Sequence, residues 1–481
     1  EDVADLLARL VDRSLVVRKP HGTATRYRLL ESVAAYGLDR LAAAGELDAT
    51  RLRHAGVYAE LAAAADDGLR GPNQCCWLAE LDVESANLHT AVDTLLAARE
   101  WTAAARMATT LTWYWFLRGR LSAARRMLRA VLAAAEGESA ASIEKDVVSA
   151  WLAGLELVSG HRRSPAVIPL VERMLRAPRG RARTRALWWL GHTLGTVGDL
   201  KGAELATRDA VEDCRASGDR WGGLAAALSE RAGQALARGE LPESHAAAEE
   251  SEALFGELGD RWGQLQAAFA IGTLAELRAD YDLAEQRFRA ALEMATELDL
   301  RPEMSYQTSW LGRVALLRGD LVEARVLHER AMRLATEQGF TPGEMYARLG
   351  LALGLRREGK PDDAERHLKL LLAWHRDHDA PSGEALVLAE LGFIAELRGD
   401  AELARRTQRE GLAAARRSRD PRAVALGVEG LAGAEALAGN TRRARRLLAV
   451  AARLREGVGT PLRPGERGDV ERIAARVAAG K

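Results

Sequence analysis

The chain has 481 residues, 48% hydrophobic and 28% charged, with 68 lysines and arginines against 68 aspartates and glutamates. That length exceeds one ordinary compact core, so several domains or a repeat array are expected, and zero net charge gives no global bias toward nucleic acid or an acidic membrane. No apolar run reaches membrane-spanning length, no secretory pattern opens the chain, and Cys75, Cys76 and Cys214 make no disulfide framework, so a cytoplasmic protein with reduced, half-buried Cys75 and Cys76 is expected.

Alanine, leucine and arginine dominate and β-branched residues are sparse, which favours helix nearly throughout. Residues 5–14 read as an amphipathic helix with Leu6, Leu7, Leu10 and Val11 inward. Residues 15–18 and 25–29 read as short strands around a His21-Gly22-Thr23 turn, and helix returns over 31–44 to end at Gly45. Helix, β-ribbon and helix over residues 1–47 is the outline of a winged-helix unit without its beginning. Residues 48–99 are read as connecting helices.

One turn then recurs: Arg118-Gly119-Arg120, Gly160-His161, Gly198-Asp199-Leu200, Gly239-Glu240-Leu241, Ala279-Asp280-Tyr281, Gly319-Asp320-Leu321, Gly359-Lys360, Gly399-Asp400 and Gly439-Asn440. From 239 onward the spacing is 40 every time. Seven residues before the turn stands a small residue (Gly191, Ala232, Gly272, Gly312, Ala352, Gly392, Ala432), and five after it another (Ala203, Ser244, Ala284, Ala324, Ala364, Ala404, Ala444). Small side chains at fixed offsets let two antiparallel helices approach closely, and a left-handed glycine ends the first of them. This pattern resembles tetratricopeptide repeats in a lengthened, 40-residue form. The resemblance implies an all-α fold: a right-handed α-solenoid of helix pairs over residues 100–455, about nine units, its first helices lining a concave groove. Residues 456–481 are a C-terminal tail with a short helix.

The string Tyr27-Arg28-Leu29-Leu30-Glu31-Ser32-Val33-Ala34-Ala35-Tyr36-Gly37, with Arg53-His54-Ala55 downstream, resembles the junction between winged helix and C-terminal repeats in bacterial STAND-class ATPases, the maltose-regulator-like and large LuxR-type transcriptional regulators. Leu69-Arg70-Gly71-Pro72-Asn73-Gln74, Glu84-Ser85-Ala86-Asn87-Leu88, Trp113 to Gly119 and Thr460 to Arg467 extend the likeness. It implies a sensor region with an ATPase domain expected before residue 1 and a DNA-binding domain at one end of the full polypeptide. A chain opening on Glu1 rather than Met fits a fragment, which on its own should not turn over ATP.

Motifs that mimic chemistry give way to the repeat. Gly354-x4-Gly359-Lys360 copies a phosphate loop, but Pro361 stands where Ser or Thr is required and Gly359 is a repeat turn. His375 and His378 lack further ligands at metal spacing and read as surface residues. The arginine runs at 162–185 and 442–455 read as solvated helix faces, so direct DNA contact is not expected. No catalytic set is discernible, and no enzyme, metal or cofactor is expected.

Tetratricopeptide-like register places thirteen, ten, six, three and two residues before each turn on the concave side. The groove candidates are then Trp113, Trp188, His192, Gln266, Glu276, Tyr306, Ser309, Arg313, Tyr346, Arg356 and Glu396. Aromatic bodies with polar heads suit a recognition groove. Arg313 and Arg356 can fork to an anionic ligand, or Arg313 can pair with Glu276 one unit back. The function this predicts is an effector-sensing and protein-interaction region of a STAND-type regulator, holding a small molecule, peptide or partner protein. The alternative is an independent tetratricopeptide scaffold that recruits a peptide or protein.

Overall fold

The computed structural model of the protein describes residues 3–21, 24–135, 143–219 and 224–479. Beyond the N-terminal segment these residues form consecutive antiparallel helix pairs, for example Arg261–Leu277 with Tyr281–Glu297 and Arg301–Arg318 with Leu321–Gln338. The recurrent turn explains the hairpins. Gly319 takes φ +87°, a backbone conformation side chains disfavour, and ends one helix. Asp320 then caps the next, its carboxylate accepting from the Glu323 N–H at 2.9 Å. Asp199, Asp280 and Asp400 cap in the same way. Ala279 holds the left-handed position at φ +61° without being glycine.

Several pairs close on a small residue facing a large one sixteen positions on. A Cβ at Gly272 would lie 2.7 Å from the Phe288 ring, and one at Gly312 would lie 3.0 Å from His328. Two units depart from the regular form. The second helix after Gly160 is only Val167–Arg176, and the one after Gly198 divides into Leu200–Thr207 and Ala210–Ser217.

The pairs coil tightly enough for successive superhelical turns to touch. Arg118 Nη1 donates to the Leu298 carbonyl (2.6 Å), Gln74 Nε2 to Asp260 (3.1 Å) and Arg422 Nη2 to the Leu236 carbonyl (2.6 Å). These partners lie 180 to 186 residues apart, so one coil takes roughly four and a half repeats. Pro72 packs on Gly259, and Gln74 also accepts from the Trp262 N–H (3.2 Å). The Arg70-Gly71-Pro72-Asn73-Gln74 string is thus a docking segment between coils.

Several expectations are corrected here. His378 is buried rather than on the surface, its ring lying between the carbonyls of Trp374 (2.8 Å) and His161 (3.1 Å) across the coil contact. The His375 ring packs over Gly383. Arg183 and Arg185 are not solvated: Arg183 donates to Asp213 at 2.6 Å and Arg185 pairs with Asp66, both buried. Cys75 and Cys76 are exposed rather than half-buried.

At the N-terminus the helix Val3–Asp12 precedes an antiparallel hairpin, Val16–His21 with Ala24–Leu29, in the register Val16↔Leu29, and the helix Glu31–Ala43 follows. The Gly22-Thr23 part of the expected turn lies outside the described residues. In the first helix Leu6 is exposed and Leu7, Leu10 and Val11 are only half-buried, so the expected inward face is not covered. Glu84 anchors the hairpin, pairing with Arg26 and accepting from Tyr58 (2.9 Å) and Asn87 (2.6 Å). Among the described residues no helix is long and apolar enough to cross a membrane.

Candidate functional site: a chamber inside the coil

The first helices of the pairs, together with tail residues 460–470, line a cavity of about 740 Å³. Its two ends differ in charge and in how that charge is met.

At one end His192 Nδ1 lies 2.7 Å from Glu230 Oε1. Burial works against a charged ring, but the Glu230 carboxylate outweighs it and holds the His192 pKa above its usual value. Glu303 is 4% exposed; its Oε1 accepts from Trp262 Nε1 at 2.7 Å. Burial pushes its carboxyl up to about 7, against the Trp262 bond and the charge of His192. One helical turn on, Gln307 is 2% exposed. Among the described residues neither Glu303 Oε2 nor Gln307 Oε1 has a hydrogen-bond partner. Behind them Trp262 meets Trp113 edge-on at 4.8 Å and Trp188 at 5.8 Å, and His192 stacks on Trp188 at 5.6 Å. Tyr306 stands edge-on to Phe340 at 5.1 Å, and Tyr346 lies 4.8 Å from Trp310.

The other end is arginine-rich, and three of its arginines, Arg313, Arg356 and Arg463, are paired with carboxylates. Arg313 Nη2 lies 2.9 Å from Glu276, and Arg463 from the tail reaches the same carboxylate at 2.7 Å. Arg356 donates to Glu390 (2.6 Å) and, with both terminal nitrogens, to Asp469 of the tail (2.9 and 2.8 Å). Burial opposes charge on both arginines, yet these carboxylates hold their pKa values above the ordinary range. Glu466 lies 3.7 Å from Arg313. The tail enters by a tight approach, because a Cβ at Gly465 would sit 2.1 Å from the Leu317 carbonyl oxygen. Its last helix, Gly468–Ala479, then covers the final pair with Ile473 and Val477 buried.

Of the groove candidates, His192, Gln266, Glu276, Tyr306, Arg313, Tyr346 and Arg356 line this one cavity. Trp113 and Trp188 do not; both are buried in the aromatic cluster behind it, where apolar area outweighs any lining role. Ser309 is turned between helices, hydrogen-bonded to His328 Nδ1 at 2.9 Å. Glu396 is buried under the last helix, paired with Arg472 (2.7 Å) and Arg476. Of the two readings of Arg313, the pairing with Glu276 one unit back is the one seen, and the reading of Arg356 as a free fork for an anionic ligand is corrected, since Glu390 and Asp469 occupy it. Sequence reasoning missed Glu230, Glu303 and Gln307, which fall outside the register offsets used. It also missed the tail's Arg463, Glu466 and Asp469.

This geometry defines a tetratricopeptide-like helical-repeat solenoid built around an internal chamber. The crystal structure of a Rap protein complexed with competence and sporulation factor shares the fold, with a TM-score of 0.55 at 12% identity, covering 74% of this chain and 98% of that one. No protein-family model matches the chain. Over 320 residues it is 29% identical to proteins of Mycobacterium tuberculosis and Mycobacterium bovis provisionally named HTH-type transcriptional regulators. The match takes in 63% of this chain and 34% of each relative. The chain therefore has a distant similarity to such regulators and spans about a third of the length of the curated relatives it matches.

Proposed function

We propose that this chain is the effector-sensing region of a cytoplasmic, bacterial STAND-type transcriptional regulator, and that the chamber holds the effector, a peptide or small molecule, without catalysing a reaction. The observation that carries this reading is the cavity itself: polar and aromatic side chains of several successive repeats converge on one half-open space, as recognition sites require. The similarity to longer proteins provisionally named as transcriptional regulators supplies the context. Binding would bias the packing of the coil, and so the N-terminal helix–hairpin–helix, toward one of two arrangements. An ATPase domain outside this chain would read that bias.

The test is a thermal-shift and native mass-spectrometry screen of the purified chain against host metabolites and short peptides. A stabilising ligand is expected whose effect is lost in both Tyr306→Ala and Gln266→Ala. A ligand indifferent to both would place binding elsewhere, and a reaction rate that co-purifies with the chain would overturn the non-catalytic reading. A second reading, a scaffold recruiting a peptide or protein, is favoured by the fold shared with a Rap protein held in a complex with a factor. Coding sequence for a P-loop ATPase immediately upstream of Glu1 separates the sensor from the scaffold.

A further inference from the structure

The chamber's two ends make unequal demands on a ligand. At the arginine end Arg313, Arg356 and Arg463 each already meet a carboxylate, and Arg357 beside them donates to the Leu316 carbonyl at 2.9 Å. At the other end two carboxylates, Glu230 and Glu303, face a single imidazole, His192, and Glu230 holds it. Even with that ring protonated, once Glu303 ionises above about pH 7 one negative charge is left without a cation among the described residues. Two acceptors also stand without donors, Glu303 Oε2 and Gln307 Oε1, both buried and both on side chains that line the cavity. They lie four residues apart on the Arg301–Arg318 helix, and so on one face of it. Buried acceptors left unmet are costly, and a donor with positive charge answers both deficits at once.

We propose that this end of the chamber is a subsite for an alkylammonium group of the ligand, which donates to the Glu303 carboxylate and to the Gln307 side-chain oxygen. Tyr306 lies between these two residues in sequence and, with Phe340 and Phe269, supplies aromatic rings to the same cavity. Such rings attract an ammonium and pack on the carbon body that carries it. A hydroxyl could supply one hydrogen bond but would leave the charge unanswered, and an anion would meet Glu230 and Glu303 repulsively. The proposal rests on the reading of the cavity as a ligand chamber and names the chemistry that one end selects.

The experiment is calorimetric titration of the full chain at pH 8 with 2-phenylethylammonium chloride and, separately, with 2-phenylethanol, a neutral molecule of nearly the same shape. The ammonium is expected to bind at least about tenfold more tightly, the scale of one charge-assisted hydrogen bond. Glu303→Gln should abolish that preference while 2-phenylethanol binds as before, and Gln307→Ala should reduce ammonium affinity severalfold. Equal affinity for the two probes, a preference that Glu303→Gln retains, or no binding of either probe would overturn the subsite. Two peptide probes separate the possible sources of the ammonium. Phe-Gly-Gly-amide binding more tightly than its N-acetyl form, with the difference lost in Glu303→Gln, assigns the group to a peptide amino terminus. Rejection of both peptides while 2-phenylethylammonium binds assigns it to a free amine. A single cooperative melting transition in Glu303→Gln and Gln307→Ala confirms folded variants. A screening ligand that binds wild type and Glu303→Gln alike would leave the chamber standing and remove only this subsite.

Discussion

Glu303 and Arg356 are both ionisable groups buried in one cavity, and they are buried on different terms. Arg356 has two carboxylates, Glu390 and Asp469, so replacing it with alanine leaves both without their cation. Arg356→Ala is expected to lower the local stability of the surrounding helices by about 3 kcal/mol, measured by hydrogen exchange. Arg313→Ala should cost less, because Arg463 still reaches Glu276. Among the described residues Glu303 has no such ion-pair partner, and its pKa, raised by burial to about 7, sets a pH dependence. A carboxyl whose folded pKa exceeds the unfolded value stabilises the fold fully at low pH, and that contribution is lost as pH rises through 7. His192, raised against its burial by Glu230, works in the same direction: its contribution is full below its unfolded pKa and lost as pH climbs through the folded one. The melting temperature is therefore expected to fall between pH 5 and pH 8, and more steeply in wild type than in Glu303→Gln. Parallel profiles for the two proteins would contradict this assignment.

At the scale of one helix pair, most of the structure was legible in the sequence. The Gly-Asp turn is a helix stop joined to a helix start, and its spacing alone located the hairpins. Asp320→Ala removes the acceptor for the Glu323 N–H and should cost the Leu321–Gln338 helix about 1 kcal/mol. Ala279→Gly should gain about 1 kcal/mol by relieving a left-handed alanine, seen as a higher melting temperature. Register predicted half of the lining well, because Gln266, Tyr306, Arg313 and Tyr346 sit where first helices face inward. It failed at Trp113 and Trp188, where an inward position is filled by core packing instead of by a groove. It failed at Ser309 because the buried His328 ring, seated against Gly312 and Gly350, takes that hydroxyl as its partner. Glu303 lay in the first turn of its helix, beyond the span that shorter repeats teach one to inspect.

What the period could not disclose is the coil as a whole. Contacts between residues some 180 positions apart depend on the pitch of the superhelix, which accumulates from small rotations at every junction and leaves no local sequence mark. Repeat arrays usually draw stability from nearest neighbours alone. Here His378, Arg422, Arg118 and Gln74 tie each coil to the next. Hydrogen exchange should therefore show the helices around Leu236 and those around Arg422 losing protection together, and Arg422→Ala should uncouple them. Independent exchange in the unaltered chain would refute that coupling. The tail carries a different consequence. Because it is part of the same chain, Glu466 and Asp469 reach their arginines at an effective concentration in the millimolar range, as a short tether imposes. A free anion present at micromolar concentration competes poorly with such an internal carboxylate. The chain is thus its own resident occupant at one end of the chamber, and discrimination among visitors falls to the end that its own residues leave unsatisfied.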